Sequence, residues 1–220
     1  AMDIDAEDNI YLIIKLRGSS EHLWSFKLFI FDEDGQKKLE SPLPFHQNSD
    51  RRVCMAISKD GKIAILNWME ETLYFGKVCL EPNSFKVEKD LSLDEVYIEI
   101  EDLKSVKVKF VDSNGTKLVA ADEYGCFIYS ENGKIHCKFD IYQENESIDS
   151  FAINHATKRI LVKTSNYSSD RSLLSFSETG ELVRSFLLGS SEWIQDARLI
   201  SHPNGPVALV GETGAALLQL

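Results

Sequence analysis

Cysteine is scarce in this 220-residue chain: Cys54, Cys79, Cys126 and Cys137 are the only four. None has CxxC spacing, which excludes a zinc ribbon and a dithiol redox motif. All four fall in strand-like runs, so free buried thiols in a reducing, cytoplasmic setting are expected. No apolar run approaches the roughly 18 to 20 residues that span a bilayer, so no membrane partner is expected. The first residues, Ala1-Met-Asp-Ile-Asp-Ala-Glu-Asp8, are acidic where a signal peptide is basic and then apolar. Basic excess is missing too. The net charge is −11, which counts against a phosphate-binding surface and disfavours RNA as a partner. Acidic runs such as Asp32-Glu33-Asp34 and Glu70-Glu71 read as solvated surface. Helix-period patterning of any length is absent, with 94–104 alone left open.

Catalytic signatures are equally thin. There is no GxSxG elbow, no Walker loop and no HExxH pair. His155 and His202 hold equivalent places in a repeat, which repetition alone explains, and His22 and His46 lack metal-ligand spacing. Asp3-Ile-Asp5-Ala-Glu7-Asp8 resembles the start of a calcium loop. It lacks the glycine at the sixth position and has Ile14 at the twelfth, so a self-satisfied turn is expected. Neither metal nor cofactor is expected. Acceptor sequons at Asn114, Asn145 and Asn166 would matter only in a secreted protein.

What the sequence does have is repetition. Phe31-Asp-Glu-Asp-Gly35, Tyr129-Ser-Glu-Asn-Gly133 and Phe176-Ser-Glu-Thr-Gly180 share one frame: an aromatic, polar residues, a turn former, then glycine. A second echo is an apolar strand, a tight turn and a more apolar strand. It occurs five times, at Asp60-Gly61, Asn114-Gly115 and Asn204-Gly205 among others. Asn-Gly and Asp-Gly are hairpin turns, and β-branched residues crowd their flanks. Together these predict four-stranded units near 1–41, 53–91, 106–141 and 150–188, and a three-stranded unit near 196–220. Four antiparallel strands in 40 to 50 residues is the grammar of a β-propeller blade. The expectation is an all-β chain, a β-propeller of about five blades with the last incomplete. Its first strands should be innermost and its second strands buried on both faces.

The links sort into two classes. Those from first to second and from third to fourth strand are tight. Those from second to third strand, and from one blade to the next, are long, and strand alternation puts them at the opposite end. Trp24, Arg51, Arg52, Trp68, Tyr142, Tyr167, Arg171 and Trp193 lie in or beside the long links. These residue types are enriched at binding hot spots, and variable loops on a rigid scaffold carry function. They are the expected partner-binding residues, with the arginines pairing carboxylates.

Ile10-Tyr11 after Asp-Asn, and Ser172-Leu-Leu-Ser-Phe-Ser-Glu-Thr-Gly-Glu-Leu-Val-Arg-Ser-Phe186, resemble NHL repeats. In place of the Asn-His-Arg that commonly precedes the third strand, the fourth unit has Ser169-Asp170-Arg171. The resemblance implies a single domain over 1–220, about five of six blades, within a longer chain. It is similar to the C-terminal modules of tripartite-motif ubiquitin ligases. That implies a non-catalytic scaffold presenting its long-loop face to a protein or peptide. The resemblance leaves two alternatives, a single-stranded RNA-binding propeller and a calcium-dependent hydrolase or lactonase.

Overall fold

Alternating apolar residues between polar turns give nineteen strands and one short helix among the residues described by the computed structural model. Those residues are 1–17, 24–47, 53–67, 72–79, 84–92, 107–110, 117–121, 125–130, 135–140, 146–166, 171–189, 191–202 and 206–218. Five antiparallel sheets follow in chain order, each with its strands in sequence order. The first is β1 (Met2–Ile4), β2 (Ile10–Arg17), β3 (Trp24–Phe31) and β4 (Lys37–Gln47). The second is β5 (Val53–Ile57), β6 (Lys62–Asn67), β7 (Thr72–Cys79) and β8 (Ser84–Ser92). The third is β9 (Lys107–Phe110), β10 (Lys117–Ala121), β11 (Gly125–Ser130) and β12 (Ile135–Asp140). The fourth is β13 (Glu146–Asn154), β14 (Arg159–Asn166), β15 (Arg171–Phe176) and β16 (Leu182–Gly189). A helical turn, α1 (Glu192–Asp196), leads into β17 (Arg198–Ser201), β18 (Val207–Val210) and β19 (Ala215–Leu218).

One turn is built four times. Asp5, Asp32, Ser58 and Ser177 each accept, through a side-chain oxygen, the backbone N–H four residues on: Asn9, Gln36, Lys62 and Glu181, at 2.7 to 3.0 Å. In each turn the residue before that donor has positive φ: Asp8 at 62°, Gly35 at 77°, Gly61 at 74° and Gly180 at 86°. Glycine reaches that region without the Cβ penalty, and aspartate tolerates it better than most residues. The Asp5 turn goes furthest. Its carboxylate also accepts from Glu7 N, Asn9 Nδ2 and the Tyr11 hydroxyl. Burial, then the charge of Asp5 and the hydrogen bond to it, push the Tyr11 hydroxyl far above its ordinary range. All four donors to this carboxylate belong to the turn itself or to β2 directly after it, the arrangement of a self-satisfied turn.

The chain divides into two compact units, 1–104 and 105–220. In the first, one face of the first sheet (Tyr11, Ile13, Leu28, Ile30, Leu39) packs on Met55, Ile57, Ile63 and Ile65 of the second. Two side-chain oxygens tie these sheets together. Asp3 accepts from Ile57 N at 3.0 Å, and Ser41 accepts from Phe85 N at 2.9 Å. In the second unit, Val119 packs on Phe151, Ile153 and Val162, and Ala152, Leu161 and Leu173 pack on Leu199, Val207 and Leu209. Here Ser150 accepts from Leu199 N at 3.0 Å. Burying each such aliphatic side chain is worth about 1.5–3 kcal/mol. The second strands β6 and β14 are buried on both faces, from Ile63 to Asn67 and from Ile160 to Thr164. First strands meet across sheets within each unit, β1 with β5 and β13 with both β9 and β17.

Several boundaries differ from the sequence expectation. β4 continues to Gln47 through Pro42 and Pro44. A proline lacks the donor an inner strand needs, but β4 pairs only with β3, so its outer side asks for none. β13 begins at Glu146 rather than near 150, because a bulge at Asp149 lets pairing continue: Ile148 faces Thr164 and Ser150 faces Lys163. α1 occupies a stretch expected to be loop. Every four-stranded sheet also carries a bulge in its outer strand, where Lys38, Glu88, His136 and Val183 are passed over by the backbone register.

Candidate functional site

The long links leave from the far ends of β2 and β14, and in both sheets a second-strand lysine stands there. Lys15, on β2, holds its ammonium 4.1 Å from the ring centroid of Trp24, the first residue of β3. Trp24 is half-buried against the core between the first two sheets. A cation over an indole face is attracted by the ring quadrupole, by about 0.5–1 kcal/mol where partly exposed.

On β14, Lys163 is fully buried, with none of its surface exposed. It donates to Asp149 Oδ2 at 2.7 Å and to the Gln195 carbonyl of α1 at 3.1 Å. Arg171, the first residue of β15, brings its Nε to 3.5 Å from the same carboxylate oxygen. Arg198 on β17 is exposed and donates from Nη1 to the Asp149 carbonyl. Burial pushes the Asp149 carboxyl up. The hydrogen bonds from Lys163 and Ser165 and the charges of Lys163 and Arg171 outweigh that, and hold it below its ordinary 3.8. Two cations thus converge on one carboxylate and a third holds the same residue's carbonyl; through Gln195 and Arg198 they join the fourth sheet to the fifth.

Trp193 sits in α1, half-buried against Ala152, Leu161, Leu173 and Leu209. Its ring lies over the β18–β19 turn, where a Cβ added to Gly214 would stand 3.2 Å from it. Trp193 therefore anchors α1 to the last sheet. Of the residues expected to bind a partner, the structure describes Trp24, Arg171 and Trp193. Arg171 and the helix bearing Trp193 come together through Lys163. Arg51, Arg52, Trp68, Tyr142 and Tyr167 lie outside the described residues. Lys163, Asp149 and Arg198 were not among the expected site residues. The one sequence signal was the lysine ending the apolar run Ile160-Leu-Val-Lys163. Among the described residues no group of three His, Cys, Asp or Glu side chains is placed to hold a metal ion, and no helix is long and apolar enough to cross a membrane.

No family model matches this chain, and no curated protein does. Solved structures do. A structure of the Dos1 propeller aligns over 95% of this chain and 51% of its own, at 11% identity and a TM-score of 0.56. The fold is a β-propeller. Hydrazine synthase of Kuenenia stuttgartiensis aligns over 94% of this propeller and 54% of its own chain, at 12% identity and a TM-score of 0.54. A chain in the crystal structure of the Mitotic Checkpoint Complex aligns over 96% of this one and 69% of its own, at 14% identity and a TM-score of 0.55. The propeller described here thus spans about half the length of the first two chains, 51% and 54%.

Proposed function

We propose that this chain is an NHL-like propeller domain, its five sheets blades of one domain within a longer protein, that binds a protein partner at the long-loop end. The module is a scaffold, and a ubiquitin ligase of the tripartite-motif kind is the host that its sequence resemblance suggests. One observation carries the reading. The first residue of the third strand is Trp24 in one blade and Arg171 in another, both hot-spot types, and each has a second-strand lysine beside it or sharing its counter-ion. Anchors already held in place lose little entropy on binding. The membership of a similar chain in the Mitotic Checkpoint Complex agrees with a role in assemblies.

A photo-cross-linking residue placed at Ser191, exposed beside α1, and in a second variant at Thr179, exposed in the β15–β16 turn, tests it. Protein adducts should form from Ser191 and be few from Thr179. Adducts from Thr179 alone, RNA adducts from Ser191, or none from either would sink the reading.

A further inference from the structure

The fifth sheet differs from the other four at its margin. Each four-stranded sheet ends on an outer strand with a bulge, and those strands carry charge, including Lys38, Glu88, Lys138 and Arg184. Among the described residues β19 is the last strand of its sheet and pairs only with β18, in unbroken register from Ala215 to Leu218. It holds no charged residue, and Leu217 on it is 68% exposed. An uncharged, unkinked edge is a ready template for another strand. The turn before β19 fixes which groups that strand would meet. Gly211 N donates to the Gly214 carbonyl at 2.8 Å, and bonded and non-bonded pairs alternate along an antiparallel ladder. Leu209–Ala216 is therefore a bonded pair, while Val210–Ala215 and Ala208–Leu217 are not. The N–H and carbonyl groups of Ala215 and Leu217 point away from β18, to the open edge.

We infer that two copies of this chain pair antiparallel through β19, about a two-fold axis at Ala216. Such an axis sets Ala216 opposite its own equivalent. Ala215 of each copy then stands opposite Leu217 of the other, and these are the residues whose backbone groups face outward, so each such pair exchanges both of its hydrogen bonds. Side-chain sizes agree with this register. Gly214 falls opposite Leu218, Ala215 opposite Leu217, and Ala216 opposite itself, so no large side chain opposes another. Moving the axis to Leu217 would set leucine on leucine. Ile200, Ala208 and Leu217 already form one cross-strand row, on the face opposite Leu199 and Leu218, which pack toward the fourth sheet. The pairing carries that row into the second copy, with the two Leu217 side chains in diagonal reach of each other.

Charge and area set the strength. Each copy carries −11, so two copies approach most easily where charge is absent, and β19 is such a stretch. Glu212, the charged residue before it, lies in the turn and falls beyond Leu218 of the facing strand. The contact is small, roughly five residues a side against about 20–30 in a standard interface. Association should therefore be weak and concentration-dependent, whether or not the long-loop end binds a partner.

Analytical ultracentrifugation of the 220-residue chain over a concentration series tests the pairing. Mass should climb from one chain toward two. Leu217→Lys acts once in each copy and adds like charges at the edge, so it should weaken association about tenfold. Leu217 is exposed, and matching thermal melts would confirm that the variant folds. Register is read by oxidation. Ala216→Cys should link to its own equivalent, because a non-bonded pair stands at about 4.5 Å between Cα atoms, within disulfide reach. Ala215→Cys, two residues out of step with its equivalent, should not. Peptide mapping assigns the link, since Cys54 and Cys79 are also free thiols. A monomer at every concentration, a dimer indifferent to Leu217→Lys, or a link through Leu217→Cys in place of Ala216→Cys would overturn the inference. A dimer of residues 1–220 that disappears within the longer protein proposed above would assign the edge to a strand of the same chain, and overturn it equally.

Discussion

Lys163 meets Asp149 at 2.7 Å because Asp149 is the extra residue of a bulge in β13. Its neighbours Ile148 and Ser150 face Thr164 and Lys163, and the bulged residue turns its carboxylate along the ladder onto the lysine. A buried ammonium is tolerated only with such a partner.

Removing either partner should therefore have unequal effects. Asp149→Asn strands the Lys163 charge in the blade junction and should cost about 3 kcal/mol. Lys163→Met leaves Asp149 with Arg171 and an apolar chain of similar volume among Leu161 and Leu173, and should cost less than about 1.5 kcal/mol. Urea denaturation of the two variants checks this, and equal losses would refute the asymmetry.

The same pair predicts a pH dependence of definite sign. The folded Asp149 carboxyl lies below its ordinary 3.8. Its contribution is full above that value and is lost as pH falls through the lower, folded one. The stability gap between the native protein and Asp149→Asn should therefore be constant above about pH 5 and shrink in more acid solution. Glu40, held down to about 2 by its hydrogen bonds to Lys27 and then Lys37, titrates alike in both proteins and cancels from the difference. A gap that does not change down to the acid limit would dissociate the cost from ionisation.

The repeated turn gives a third expectation. A Cβ at Gly61 would meet nothing within 4 Å, so the cost of Gly61→Ala is conformational, about 1 kcal/mol at φ +74°. Lys158 sits exposed at φ 52° in the β13–β14 turn, where a side chain is a liability. Lys158→Gly should raise stability by a few tenths of a kcal/mol, about what relief of that strain leaves after the entropy of an added glycine. Thermal melts of the pair decide; opposite signs to these would show that the turn tolerates any backbone.

The propeller was legible because its grammar is local. Asp32-Glu-Asp-Gly35 and Ser177-Glu-Thr-Gly180 name their turn outright, and alternating apolar residues name the strands either side. Trp24 and Arg171 were findable by type and by position beside the long links. Asp149 was not, because a bulge has no sequence signature: it depends on how the β13–β14 ladder resumes past one surplus residue. Arg198 was hidden for another reason. Its partner is the Asp149 carbonyl, 49 residues away, and only the packing of one blade on the next brings them together. α1 was too short for a period of 3.6 to show, at five residues.

The bulges at Lys38, Glu88, His136 and Val183 bear on how such a chain could grow. Each sits in the strand at its sheet's outer margin, and a kinked, over-twisted margin is a poor template for a foreign strand. β16 shows the need, since Leu182, Val183 and Leu187 are all exposed along it. Because every four-stranded repeat carries its own kink, copying a segment of the gene copies the safeguard with it. The array can then lengthen by duplication without acquiring, at any intermediate length, an unguarded sticky margin.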